Sequence, residues 1–136
     1  MAILNPYLNF DGNAREAIEF YKDVFGGELT VSTFGDMPGA AAGTEDKVMH
    51  SQLETPAGFT LMASDMPPGM PHQPGNTIAV SLSGDDEAEL RGYWDKLAES
   101  GNVTLALEKQ MWGDVFGMVA DRFGVLWMVN IAQPQG

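Results

Sequence analysis

Gly58-Phe-Thr-Leu-Met-Ala-Ser-Asp65 and Gly124-Val-Leu-Trp-Met-Val-Asn-Ile131 are one loose pattern written twice, 66 residues apart. Working outward, Leu8-Asn-Phe-Asp-Gly12 is echoed by Val80-Ser-Leu-Ser-Gly84, shifted by 72 residues. Each echo leads into a helix-like stretch with an aromatic pair, Phe20-Tyr21 in one copy and Tyr93-Trp94 in the other. A repeat of this length is a whole supersecondary module, and two such modules are expected to enclose a ligand-binding cleft.

The order of elements follows from periodicity and breakers. A first strand spans Ile3 to Phe10, with Pro6, Leu8 and Phe10 on one face and Asn5, Tyr7 and Asn9 on the other. Pro6 cannot donate to a ladder, so this strand begins or edges its sheet. Asn13, with Glu16 three residues on, predicts a capping box, and the helix runs to Phe25 and stops at Gly26-Gly27. Its apolar face is Ala14, Ala17, Ile18, Tyr21, Val24 and Phe25. Strands follow at Glu28 to Phe34, Val48 to Thr55 and Phe59 to Ser64, with a Gly- and Ala-rich loop over Gly35 to Lys47. The Pro-rich run from Met66 to Gly75 reads as a linker. The second copy has a strand over Thr77 to Leu82 and a helix capped by Asp85 or Asp86 that ends near Gly101. Its remaining strands are Val103 to Glu108, Val115 to Ala120 and Val125 to Ile131. The fold class is therefore α+β: two tandem βαβββ modules forming a curved mixed sheet around a cleft. One domain covers residues 1–136, with module one at about 1–66, the linker at about 66–75 and module two at about 76–136.

Composition narrows the function classes. With 136 residues and 44% hydrophobic content, the chain can bury a core. No cysteine is present, which removes disulfide and thiolate chemistry. No apolar run reaches membrane-spanning length and the N-terminus lacks signal-peptide character, so a cytoplasmic location is expected. The net charge of −12 argues against nucleic acid and suits a cationic ligand. No phosphate-binding loop or nucleophile elbow is present.

A resemblance then becomes specific. Pro6-Tyr-Leu-Asn-Phe-Asp-Gly12, Ala17-Ile-Glu-Phe-Tyr21, Phe25-Gly26-Gly27, Met49-His50, Leu61-Met62, Trp112-Gly113 and Asp121-Arg-Phe-Gly-Val-Leu-Trp-Met-Val-Asn130 span nearly the whole chain. Together they resemble the vicinal oxygen chelate superfamily of glyoxalase I, extradiol dioxygenases and the fosfomycin and bleomycin resistance proteins. Within it they resemble the PhnB-like branch. These motifs are structural, so they imply a fold more than an activity. The methyltransferase label sometimes given to that branch has no support, since no Gly-rich nucleotide loop follows the first strand.

The resemblance also implies where a metal would sit, namely at Asn5, Met62, Thr77 and Met128. Hard divalent ions prefer carboxylate or imidazole, so two thioethers, an amide and a hydroxyl make the family metal site look erased. No metal residue and no cofactor is assigned. If a divalent ion is bound, His50 and Glu54 are the first suspects, since His50, Gln52 and Glu54 alternate on one strand face. The same two residues are the catalytic candidates. His72 lies in the linker and is expected to be solvated. The ligand-binding candidates are Asn5, Tyr7, Asn9, Gln52, Met62, Thr77, Trp112 and Met128. Strand phase puts Leu61 and Trp127 in the core and Met62 and Met128 on the cleft side.

The expected function is a PhnB-like small-molecule-binding protein without the family metal site, acting on a cationic or aromatic ligand. Whether it is an enzyme stays open at this point. The alternative is a glyoxalase-like lyase, isomerase or dioxygenase using His50 and Glu54, with or without a divalent metal. The resemblance implies a homodimer; neither a nucleic acid nor a membrane is expected as a partner.

Overall fold

The computed structural model describes residues 2–36, 38–39, 43–67 and 69–134. Parts of the expected loop and linker, residues 37, 40–42 and 68, lie outside the described residues. The chain divides into two compact units, Met1–Pro74 and Gly75–Gly136. Among the described residues each contains a mixed four-stranded sheet and one α-helix.

In the first unit the elements are β1 (Tyr7–Phe10), α1 (Ala14–Phe25), β2 (Glu28–Thr33), β3 (Val48–Glu54) and β4 (Thr60–Asp65). The sheet order is β1-β4-β3-β2, with β1 parallel to β4 and the other pairs antiparallel. Pro6 precedes the edge strand, and its carbonyl accepts from Met62 N at 3.1 Å. The strand starts at Tyr7 instead of Ile3, and Ile3 and Leu4 are exposed. With Pro6 unable to donate, regular pairing on β4 begins only after it. The face carrying Leu8, Phe10, Leu53, Leu61 and Ala63 packs under the buried stripe of α1, Ala14, Ala17, Ile18, Tyr21, Val24 and Phe25.

The start of α1 corrects the capping-box expectation. Asn13 makes no side-chain cap bond. Asp65, at the end of β4 and 4% exposed, does that work instead. Its carboxylate accepts from Gly12 N at 2.8 Å, Ala14 N at 2.9 Å and Val48 N at 2.9 Å. A buried carboxylate with three backbone donors is well compensated, and it ties helix and sheet together more strongly than a local amide cap. At the other end, Gly26 N donates to the Lys22 carbonyl. Gly27 has φ +106° and a Cβ there would collide with the Glu54 carbonyl, so the two glycines that stop the helix also let β2 approach β3.

The second unit repeats the plan with β5 (Val80–Gly84), α2 (Glu87–Glu99), β6 (Asn102–Lys109), β7 (Val115–Ala120) and β8 (Leu126–Ile131). Its order is β5-β8-β7-β6, with β5 parallel to β8. Asp86 caps α2, accepting from Glu89 N at 3.1 Å. The strand expected from Thr77 begins at Val80, which leaves Thr77 exposed in a bend and Ile78 also exposed. Leu90, Trp94 and Leu97 of α2 are buried, as are Leu82, Val129 and Ile131 of the sheet. Gly117 is needed where Trp94 meets β7, since a Cβ would lie 2.8 Å from the indole and 2.9 Å from Leu107 Cα. Asp121, 4% exposed, is the second unit's buried carboxylate. It accepts from Phe123 N at 2.9 Å, Val125 N at 3.0 Å and Trp127 Nε1 at 2.9 Å, which fixes the turn and the core tryptophan together. On α2, burial and then a hydrogen bond to Glu89 push the Tyr93 phenol up to about 12. No helix among the described residues is long and apolar enough to cross a membrane.

Candidate open-face site

In both units the helix covers one sheet face, and the residues of opposite phase line the other. In the first unit the registers set Tyr7, Met62, Gln52 and Thr30 in one cross-strand row. Ser32 pairs with His50, Asn9 with Ser64, Glu54 with Thr60 and Glu28 with Glu54, all on that same face. Six sequence candidates, Tyr7, Asn9, His50, Gln52, Glu54 and Met62, thus share one surface of one sheet. Leu61, 1% exposed, points the other way, and Met62 is half-buried on this surface. No Lys or Arg stands in these rows, which are lined by amides, hydroxyls, one imidazole, one phenol and the opposed Glu28 and Glu54.

The phenol and the imidazole are joined. Tyr7 Oη and His50 Nδ1 share a hydrogen bond at 3.2 Å, with ring centroids 5.7 Å apart. Tyr7 is on β1 and His50 on β3, so the Tyr7 side chain reaches across β4 to make it. Neither ring packs under α1, and His50 Nε2 has no hydrogen-bond partner among the described residues. The chain's other histidine also serves β1. His72 Nε2 bonds the Asn9 carbonyl at 3.0 Å, on the edge of β1 turned away from β4. A carbonyl only accepts, so this places the proton of His72 on Nε2. The expectation of a solvated His72 is corrected accordingly: it is half-buried and holds the linker to an otherwise open strand edge.

Other candidates are placed apart. Glu54 is on the same face as His50, but two such positions along an extended strand are about 13 Å apart between Cα atoms. Gln52 stands between them, and the bonded partner of His50 is Tyr7. Asn5 is half-buried just before β1, and Thr77 lies outside β5. In the second unit Met128 pairs with Ser81 on one side and Met118 on the other. Phe116 and Asn130 form the next row, and Trp112 meets the Phe116 ring edge-on at 5.8 Å. Trp127, 1% exposed, faces the helix. The Asn130 amide is held by Asp114 at 3.1 Å, and Asp114 also accepts from Gln133 N at 3.2 Å.

The donor set does not fit a hard divalent ion. The positions implied for it supply an amide, a hydroxyl and two thioethers, and no group of three His, Cys, Asp or Glu side chains able to hold a metal occurs among the described residues.

Sequence reading missed the Tyr7–His50 bond although it named both residues. The available signal was that both strands present these residues in the open-face phase. It also missed Asp65, whose signal was an acid in the same phase as Leu61 and Ala63.

The doubled βαβββ plan, each module with a helix-covered and an open sheet face, has known relatives. The family model described as the glyoxalase/bleomycin resistance protein/dioxygenase superfamily matches residues 3–129. Protein YjdN of Escherichia coli strain K12 is 31% identical over 144 residues, covering 97% of each chain. Protein PA1353 of Pseudomonas aeruginosa is 41% identical, with a TM-score of 0.88 over 98% of this chain and 100% of that one. The PhnB protein of Bacillus cereus, at 24% identity, shares the fold with a TM-score of 0.74 over 96% of this chain and 100% of its own. A match to the family model along almost the whole length, joined to the strand order found in each unit, makes this chain a member of the glyoxalase/bleomycin resistance protein/dioxygenase superfamily.

Proposed function

We propose that the chain is a PhnB-like small-molecule-binding protein that works without the superfamily's metal and holds its ligand on the open sheet face of the first unit. The observation that carries this reading is the row Tyr7, Met62, Gln52 with His50 and Asn9 beside it. It offers directional hydrogen bonds around one adaptable thioether, the mixture expected of a specific binding surface. The absence of cations in these rows, the Glu28–Glu54 pair and the net charge of −12 favour a neutral or cationic ligand over an anion. In the second unit Met118, Met128, Phe116 and Trp112 provide apolar surface suited to an aromatic group. A cytoplasmic location and a homodimeric state belong to the same proposal, carried by the cysteine-free chain and by the resemblance.

Titration calorimetry with bleomycin, as a cationic aromatic probe, tests the binding reading. Saturable binding that survives chelator treatment and weakens at least about tenfold in Gln52→Ala is expected. Binding abolished by the chelator, or unchanged in Gln52→Ala, contradicts it.

One observation favours a second, catalytic reading, a lyase, isomerase or dioxygenase: the imidazole of His50 is oriented by a side chain, Tyr7, that comes from a different strand. Side chains that act as acids or bases are commonly held in this way. Turnover of the hemithioacetal of methylglyoxal, lost in His50→Gln, would establish it.

A further inference from the structure

From the Tyr7–His50 geometry we infer that the two form an acid–base pair, His50 being the base and Tyr7 the residue that positions it, for proton transfer on a carbonyl compound. This rests on the second reading above and adds its substrate class. The hydrogen bond at 3.2 Å engages Nδ1, so it sets the ring's orientation and leaves Nε2 as the only imidazole nitrogen available to a ligand. The pair works in the tautomer whose Nδ1–H donates to Tyr7 Oη, which puts the lone pair on Nε2. The phenol keeps its own proton for donation to the ligand.

The two functional atoms then divide the work. Nε2 takes a proton from the carbon next to a carbonyl. The electron pair of that C–H bond moves into the carbonyl, and the resulting enolate oxygen accepts from the Tyr7 hydroxyl. Nδ1–H of the imidazolium bonds more strongly to Tyr7 Oη, which sharpens the phenol as a donor. Return of the proton to the same or a neighbouring carbon completes an exchange or isomerisation with no oxidant, reductant or co-reactant. Nε2 and the phenol oxygen lie about 5 Å apart on this geometry, a span suited to an α-hydrogen and the oxygen of one carbonyl group. The ligand's remaining polar atoms meet Gln52 and Asn9. With no cation in the rows, the substrate is neutral or carries a positive charge, and a carboxylate or phosphate ester is disfavoured.

His72 supplies a control within the same molecule, since its Nε2 is occupied by the Asn9 carbonyl. Reaction of the full chain with diethyl pyrocarbonate, read by peptide mass spectrometry, should modify His50 at least about tenfold faster than His72. Tyr7→Phe should slow His50 and leave His72 unchanged. Hydroxyacetone in deuterated buffer gives the second readout. Wild-type protein should accelerate α-deuteration at least about tenfold over His50→Gln, with Tyr7→Phe in between. Equal modification of the two histidines, a Tyr7→Phe variant with unaltered His50 reactivity, or exchange no faster than in His50→Gln would each overturn the pair. Hemithioacetal turnover by a wild-type protein that fails the exchange test would sink the pair and spare the catalytic reading. Loss of both would sink both.

Discussion

The two units share a strand order and differ in what their open faces carry. In the first, the row next to the parallel pair is Tyr7, Met62 and Gln52, with a bonded histidine adjacent. In the second, the matching row is Ser81, Met128 and Met118, followed by Phe116 and Asn130. The repeated methionines, Met62 and Met128, mark the equivalence, and their neighbours have diverged. Duplication preserved the side of the sheet that packs on the helix, where any change costs stability. The other side differs, being mostly polar in one copy and more apolar in the other.

The buried faces set the largest expected effects. Asp65→Ala strands three backbone donors in the first unit, and Asp121→Ala strands two backbone donors and an indole in the second. Each should destabilise by about 2–4 kcal/mol in urea unfolding, since the donors left behind are buried or part-buried. Asp121→Ala should also shift the Trp127 emission, which Asp65→Ala should not. If only one of the two variants loses stability, the units are not built on equivalent carboxylate anchors. Close backbone approaches come next. Gly27→Ala and Gly117→Ala should each cost about 1–3 kcal/mol through overpacking, while Gly92→Ala on α2, with open space around it, should stabilise by about 0.5–1 kcal/mol.

On the open faces the same scale of substitution should barely move stability. Gln52→Leu and Met128→Gln should stay within about 0.5 kcal/mol of wild type. Bleomycin affinity should fall in Gln52→Leu and stay unchanged in Met128→Gln if the first unit's polar face carries recognition. The smallest effect is on α2. Tyr93 has its phenol raised from 10.0 to about 12, so folding favours the neutral form. Its stabilisation is complete below pH 10 and is lost as pH rises through that window to about 12. Tyr93→Phe should flatten the decline of the urea midpoint between pH 10 and 12.

Strand phase made much of this legible. Alternation alone separated Tyr7 and Asn9 from Leu8 and Phe10, and Met62 from Leu61. The turn-strand repeat then set the βαβββ order. Strand starts were misread at Ile3 and Thr77 because apolar and β-branched residues there match the pattern, while only hydrogen-bonded pairing ends it. The capping box is absent at Asn13, and the start of the helix is tied instead by Asp65, 52 residues away, which accepts from Gly12 N and Ala14 N. Local sequence carries no trace of such a partner. For the site, composition and phase nominate residues singly. The Tyr7–His50 bond depends on β4 lying between β1 and β3, a topological fact that no spacing in the sequence encodes.

A small molecule held on the first unit's open face without a metal should travel with the protein through purification. Native mass spectrometry of protein purified from cells, run on wild type and on Tyr7→Phe/Gln52→Ala, with metal analysis of both, tests it most directly. An organic adduct on wild type that is missing from the variant is expected, with substoichiometric divalent metal in each. A stoichiometric divalent metal, an adduct retained by the variant, or a wild-type protein with no adduct would contradict it.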